Sequence, residues 1–412
     1  MTAEFFNVAT VQAGLEKLFA HWSPNRQTAT IDPRNALGRV LAEPIYSPER
    51  LPYFPRSTMD GYAVRAADNF GATQSLPAYL TCIGSIQMGQ AANISLQMGE
   101  CIEIFTGAML PPHADAVVMI ERTQKLGGAE IEILAPVAPG ENVVQVGEDI
   151  ETGELILPAG HRIRPEDIGG LLAVGVLAIK VIEPPRIGIL SCGDELVSPE
   201  ATPAPGQIRD INAPMLAALV QEAGGHPILL GIAHDDAADY HARAHAGFAE
   251  VDILLMTAGS SVSSRDLTRD VIASLGQPGI LQHGLAVKPG KPTILAVCDG
   301  KPVIGLPGNP VSALLVARQI VVPLIRYALG QKIPRPISVQ ATVTHNIASV
   351  TGREDTIPVR LIDREGGWQA EPLFGKSNLI FTLVRADGVV HIPLNSNGLK
   401  AGAPVEVMVW DG

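Results

Sequence analysis

The chain has 412 residues, 46% of them hydrophobic, which is enough to bury more than one core, so roughly two to four domains are expected. Its formal net charge of −12, with no basic tract to offset it, argues against nucleic acid or an acidic membrane surface as a partner. Any anionic ligand must therefore be met by a local cluster of cations.

Cys82, Cys101, Cys192 and Cys298 stand far apart without a Cys-x-x-Cys or Cys/His cluster, so neither a zinc site nor a disulfide framework is indicated and a reducing cytoplasm is expected. The opening residues lack a basic segment followed by an apolar core, and no window reaches the roughly 18 apolar residues of a membrane span.

In chain order, Val11, Leu15, Leu18 and Phe19 recur at helical spacing between Val8 and Ala20, and a second helix is predicted near Asn35 to Leu41. Residues 55–144 then read as short β-segments such as "AYLTCIGSI", "CIEIF" and "AEIEIL" between Gly/Pro turns, a small β-domain. "RPEDIGGLLAVGV" returns to helix, so residues 1–54 and 145–184 are expected to form one elongated domain interrupted by the β-insert. From 185 to 332 the pattern is strand, loop, helix, repeated. "RIGILS", "HPILLGIA", "VDILLMTAG" and "PVIGL" are the short apolar runs of a buried, parallel-rich sheet in an α/β domain. Beyond "KIPRP", residues 333–412 alternate as a compact β-barrel or sandwich. The fold class is thus multidomain α/β plus β.

Ligands of open α/β sheets gather beyond the carboxyl ends of the strands. Here those ends lead into "SCGDEL" with Asp194 and Glu195, into His234-Asp235-Asp236, and into "TAGSSVSSRD" with Ser261, Arg265 and Asp266. The carboxylates read either as solvated loop residues or as Mg²⁺ ligands bridging to phosphates. Cys192 follows a buried strand without a partner histidine and reads as a packed thiol.

Two turns carry the cationic and dipolar features. In "VKPGKP", Lys288 and Lys291 flank Pro289-Gly290, so an anion between them would relieve their repulsion. In "GLPGNPVSALL", Pro307 and Gly308 end a strand, Asn309 is placed to cap a helix and Pro310 to begin it. The free N–H groups of Val311, Ser312 and Ala313 and the Ser312 hydroxyl would then face an anion. The two turns are separated by a hairpin or adjacent strands, so they are expected to face one oxyanion. Upstream, "STMDGYAV" with Asp60 and "FTGAML" with Thr106 read as turns into strands.

"STMDGYAV", "FTGAMLPPHADAVVMIE", "GEDI", "SCGDEL", "GQIRDIN", "DLTRDVI", "VKPGKP" and "GLPGNPVSALL", in this order, resemble the molybdopterin molybdenumtransferase family, which includes the E-domain of gephyrin. The resemblance covers essentially the whole chain. It implies a central molybdopterin-binding-type domain, a homodimer with active sites in clefts to which both subunits contribute, and conversion of adenylylated molybdopterin and molybdate to the molybdenum cofactor and AMP with Mg²⁺. It further implies roles for Asp235, Ser261 and Asp266 toward nucleotide and metal, and for Glu195 in shaping the cleft. Lys288, Lys291, Pro292 and Ser312, with Arg353 of "TGRED" and Ser377 of "GKSN", would receive molybdate, while Asp60, Thr106 and Asp149 would come from the N-terminal half. A molybdopterin adenylyltransferase is an implied partner. A non-catalytic scaffold of the same fold and a tungstate-using variant are the alternatives.

Overall fold

The computed structural model describes residues 8–258, 262–332 and 337–410. The chain divides into two compact units, one of Met1–Ala29, Gly38–Ala42 and Lys180–Gly412, the other of Thr30–Leu37 and Glu43–Ile179.

The first unit is built on a six-stranded sheet in the order His226–Ala233, Arg186–Cys192, Ile253–Ala258, Lys301–Pro307, Ile294–Cys298, Pro278–His283. The first four strands run parallel, and the last two are antiparallel to their neighbours. Ile253–Ala258 is buried at every position because helices cover both faces. Ile253 and Leu255 enter one core with helices Val11–His21, Asn212–Glu222 and Pro310–Ala328, while Leu254 and Met256 enter a second core with Ala237–Glu250 and Val262–Ser274. Thr10 caps the first of these helices, its hydroxyl accepting from the Ala13 amide at 3.1 Å.

Helix Pro310–Ala328 corrects one expectation. It is long and apolar enough to cross a membrane by length and composition. Yet most of it is buried inside the protein, and the helix carries Arg318, Arg326 and an internal Pro323. Its apolar character is that of a core helix, packed against the sheet through Val316, Ile320, Val321 and Leu324.

At the C-terminal end, strands Glu354–Arg364, Gly367–Pro372, Ser338–Val343, Pro404–Val409 and Gly388–Ile392 close into a barrel, because Glu354–Arg364 pairs with both its sequence neighbour and Gly388–Ile392. Val343, Val359, Val390, Ile392 and Val407 fill it. The two-residue strand Val287–Lys288 of the α/β domain joins this sheet, parallel to the start of Glu354–Arg364.

The second unit carries a six-stranded sheet in the order Ala116–Met119, Gly61–Val64, Glu100–Ile104, Ala78–Ile86, Glu130–Ile133, Thr123–Gly127, and helix Pro165–Ala173. The helix expected near Asn35 to Leu41 does not form. A single 3-10 turn, Pro33–Asn35, is capped by Asp32, the chain reverses at Gly38 with φ +75°, and Val40–Leu41 is a strand paired with Ile182 and Val181. The left-handed glycine lies in the middle of the expected helix and turns the chain before one can form.

Candidate oxyanion site

The strand Lys301–Pro307 and the helix Pro310–Ala328 meet at Gly308-Asn309 on the carboxyl edge of the sheet. This corner is tied down from two sides. The Asn212 amide donates to the Gly308 carbonyl at 2.7 Å, and Asn212 is itself placed by Asp210, whose carboxylate accepts from the amides of Asn212 and Ala213 at 3.1 and 3.2 Å. On the other side Asn309 donates to the Ser377 hydroxyl at 2.9 Å. Asn309 therefore occupies the N-cap position without capping the helix through its side chain.

The helix start also differs from expectation in its amides. Val311 donates to the Ser377 carbonyl at 3.0 Å and Ala313 to the Asn309 carbonyl at 2.9 Å. Of the groups expected to face an anion, the amide and hydroxyl of Ser312 remain for a ligand among the described residues.

The Lys-Pro-Gly-Lys turn is held at its base. Leu285 donates to the Lys291 carbonyl at 2.9 Å, Gly284 to the Thr293 carbonyl at 2.8 Å, and the Thr293 hydroxyl to the Gly290 carbonyl at 2.7 Å. Gly290 has φ +114°, where a side chain is strained. The turn connects to the barrel through Glu354, whose amide donates to the Ala286 carbonyl at 2.7 Å.

Between these turns and the barrel loop lies a cavity of about 730 Å³. Lys288, Lys291, Pro292, Ser312, Arg353 and Ser377, all named from the sequence, line it together. Lys376 adds a further cation, and Ile357, Leu373 and Phe374 form an apolar wall. Lys376 lay within the quoted "GKSN" but was given no role there, and the apolar wall carried no motif signal. Asp355, which is outside the lining, was also missed: its side chain is 0% exposed, accepting from Arg353 Nε at 2.8 Å and lying 3.9 Å from Lys288 Nζ. Burial raises the carboxyl of neighbouring Glu354 above its ordinary range.

Glu195 and Asp235 do not line the cavity. They follow strands Arg186–Cys192 and His226–Ala233, farther along the same sheet edge, where Asp194 accepts from the Asp235 amide at 3.3 Å and pairs with His234 Nδ1 at 3.1 Å. Cys192 is buried, its Sγ facing the His234 carbonyl at 3.4 Å, and burial pushes its thiol up. Among the described residues no three His, Cys, Asp or Glu side chains form a group able to hold a metal. Ser261 lies outside the described residues. Asp266 falls within helix Val262–Ser274, with its side chain outside them too.

Asp60, Thr106 and Asp149 belong to the second unit. Asp60 Oδ1 accepts from the Thr106 amide at 2.7 Å and its hydroxyl at 2.9 Å, and these two bonds hold the Asp60 carboxyl below its ordinary range. The Asp149 amide donates to the Leu51 carbonyl at 3.0 Å.

Three family models match in chain order: the "MoeA N-terminal region (domain I and II)" over residues 9–175, the "Probable molybdopterin binding domain" over 188–327 and the "MoeA C-terminal region (domain IV)" over 340–410. The chain is 32% identical over 387 residues to molybdopterin molybdenumtransferase 2 of Mycobacterium tuberculosis, covering 93% of this chain and 94% of that protein. It is 30% identical over 393 residues to the molybdopterin molybdenumtransferase of Bacillus subtilis, covering 94% and 91%. A crystal structure of a molybdopterin biosynthesis protein from Pyrococcus horikoshii superposes with a TM-score of 0.85 at 30% identity, over 98% of this chain and 100% of that one. With near-complete coverage in both directions and three family models matched in chain order, the chain belongs to the molybdopterin molybdenumtransferase family.

Proposed function

We propose that this protein inserts molybdenum from molybdate into adenylylated molybdopterin, releasing AMP and forming the molybdenum cofactor. The observation that carries the reading is the cavity in which Lys288, Lys291 and Arg353 surround the Ser312 helix start. Molybdate is a tetrahedral dianion. Several cations and a helix N-terminus are the groups that bind such an ion, and they gain strength where apolar side chains exclude water. Much of a cavity this size remains beyond one small oxyanion, so the organic substrate has room beside it.

The chain's part is positioning and charge neutralisation: the lysines and Arg353 hold molybdate, Ser312 and Ser377 orient its oxygens, and Ile357, Leu373 and Phe374 limit water at the transfer step. Asp194 and Asp235 offer hard oxygen donors at adjacent strand ends. The Mg²⁺ role proposed for Asp235 together with Asp266 rests on family resemblance, and Mg²⁺ usually takes one or two carboxylates and completes its shell with water and phosphate oxygens. When bound, Mg²⁺ would neutralise the phosphoanhydride of the adenylylated substrate. Asp266, Ser261, Glu195, Asp60, Thr106 and Asp149 belong to the proposal on the strength of family resemblance, as do a homodimeric functional unit, a molybdopterin adenylyltransferase as supplier of substrate, and a cytoplasmic setting.

The test is release of AMP from adenylylated molybdopterin with and without molybdate, with tungstate as a parallel arm. Molybdate-dependent AMP release is expected, and it should fail in Asp266→Asn. Absence of AMP release from folded parental protein supplied with both substrates and Mg²⁺ would remove the transferase reading.

A further inference from the structure

We infer that Asp355 is the positioning residue of the oxyanion pocket, the buried counter-charge that holds Lys288 and Arg353 in place before the anion arrives. The inference rests on the reading of this cavity as the molybdate site. Asp355 is not in the cavity lining, whereas both its cationic partners are. Its side chain has 0% exposure, against 56% for Lys288 and 35% for Arg353, so the carboxylate lies beneath two cations whose outer parts reach the pocket.

The backbone brings these groups together from distant sequence. Lys288 stands opposite Asp355 in the short parallel ladder between Val287–Lys288 and the barrel strand. Arg353, two residues before Asp355, donates from Nε at 2.8 Å and lies within 3.5 Å through Nη2. A fully buried carboxylate is costly unless paired, so the pairing constrains both partners as much as it satisfies Asp355. In the absence of that negative charge, two like-charged side chains would face each other across an empty pocket and swing apart into solvent. An incoming oxyanion would then have to gather them, and that ordering cost would appear as weaker binding.

This role differs from simple attachment of the barrel to the α/β domain. A residue that only maintains the fold changes the fraction of active molecules, which lowers kcat and leaves KM alone. A residue that arranges the pocket changes the molybdate KM. The experiment measures molybdate binding by calorimetry and steady-state AMP release for the parent, Asp355→Asn and Asp355→Glu. Asp355→Asn is expected to raise both the molybdate Kd and the molybdate KM about tenfold, with kcat at saturating molybdate and the KM for adenylylated molybdopterin unchanged. Asp355→Glu, which keeps the charge but moves it by one methylene, is expected to recover most of the affinity while remaining about threefold weaker than the parent. Parental protein that fails to bind molybdate sinks the reading of the cavity and this inference with it. Parental binding accompanied by unchanged molybdate Kd and KM in Asp355→Asn, or by reduced kcat at unchanged KM, overturns the inference alone. Should Asp355→Asn fail to fold, Asp355→Glu decides: a molybdate KM equal to the parent's overturns the assignment.

Discussion

Asn309 and Ser377, 68 residues apart, join the start of a core helix to a loop of the C-terminal barrel by an amide-to-hydroxyl hydrogen bond of 2.9 Å. The Val311 amide reinforces the junction by donating to the Ser377 carbonyl at 3.0 Å. Both contacts sit on the rim of the cationic cavity, so the barrel helps to set where the helix N-terminus points. Ser377→Ala removes the hydroxyl contact and keeps the backbone one. It is expected to cost about 0.5–1.5 kcal/mol of stability, the usual net value of one such bond, and to weaken molybdate binding severalfold. Urea denaturation and calorimetry on the same preparation would check both; unaltered molybdate affinity would show that the hydroxyl serves the domain junction only.

Gly290 is the tightest point of the Lys-Pro-Gly-Lys turn. At φ +114° a side chain is already strained, and an added Cβ would lie 2.2 Å from Val316 Cγ2 in the core helix. Gly290→Ala is therefore expected to destabilise the protein by about 1–3 kcal/mol and to displace Lys288 and Lys291 from the cavity. A melting temperature and molybdate affinity both equal to the parent's would mean that the turn relaxes without consequence.

The two turns were legible because proline and glycine act locally. Pro289-Gly290 and Pro307-Gly308 force reversals whatever surrounds them, and the hairpin of Ile294–Cys298 and Lys301–Pro307 then brings those reversals to one place. The alternating and continuous apolar runs likewise announced the barrel and the covered sheet. What local pattern could not reveal was tertiary choice. Asn309 had the signature of a cap, but Ser377 offered its side chain another partner. Asp355 looked like one more acidic residue in an acidic protein, because its burial depends on Lys288 reaching it through a ladder 67 positions away. The helix predicted near Asn35 to Leu41 failed because Gly38 within it takes a positive φ and reverses the chain.

His391 predicts a pH dependence of stability. His391 lies between Val390 and Ile392, which fill the barrel, and so faces the other side of the sheet, where burial pushes its imidazole down to about 4 from the ordinary value of 6.5 and its Nδ1 lies 3.1 Å from the Thr356 hydroxyl. The folded state thus keeps this ring neutral over a range where the unfolded chain would protonate it. The stability it supports is complete above pH 6.5 and is lost progressively as pH falls toward 4, by about 3 kcal/mol at the limit. His391→Gln, which cannot titrate, should give a flatter curve of unfolding free energy between pH 6.5 and 4 than the parent. Parallel curves for the two proteins would exclude His391 as a source of acid lability.

Lys291 provides the most direct test of the pocket. It lines the cavity at the far end of the turn from Lys288 and is exposed, so removing it should not disturb the core. A charge-assisted hydrogen bond to an oxyanion contributes about 1.5–3 kcal/mol, which places the expected loss for Lys291→Ala at roughly tenfold or more in molybdate affinity. Because the side chain is solvent-accessible, salt will screen part of the interaction, and the difference between parent and variant should narrow as ionic strength rises. A buried cation would show much less of this narrowing, so the salt series separates a direct contact at the cavity mouth from a change transmitted through the turn. Calorimetric titration of molybdate into both proteins at low and high salt supplies the comparison. Equal affinity at low salt, with the variant folded, would take Lys291 out of the oxyanion site and leave Lys288, Arg353 and the Ser312 helix start to hold the ligand.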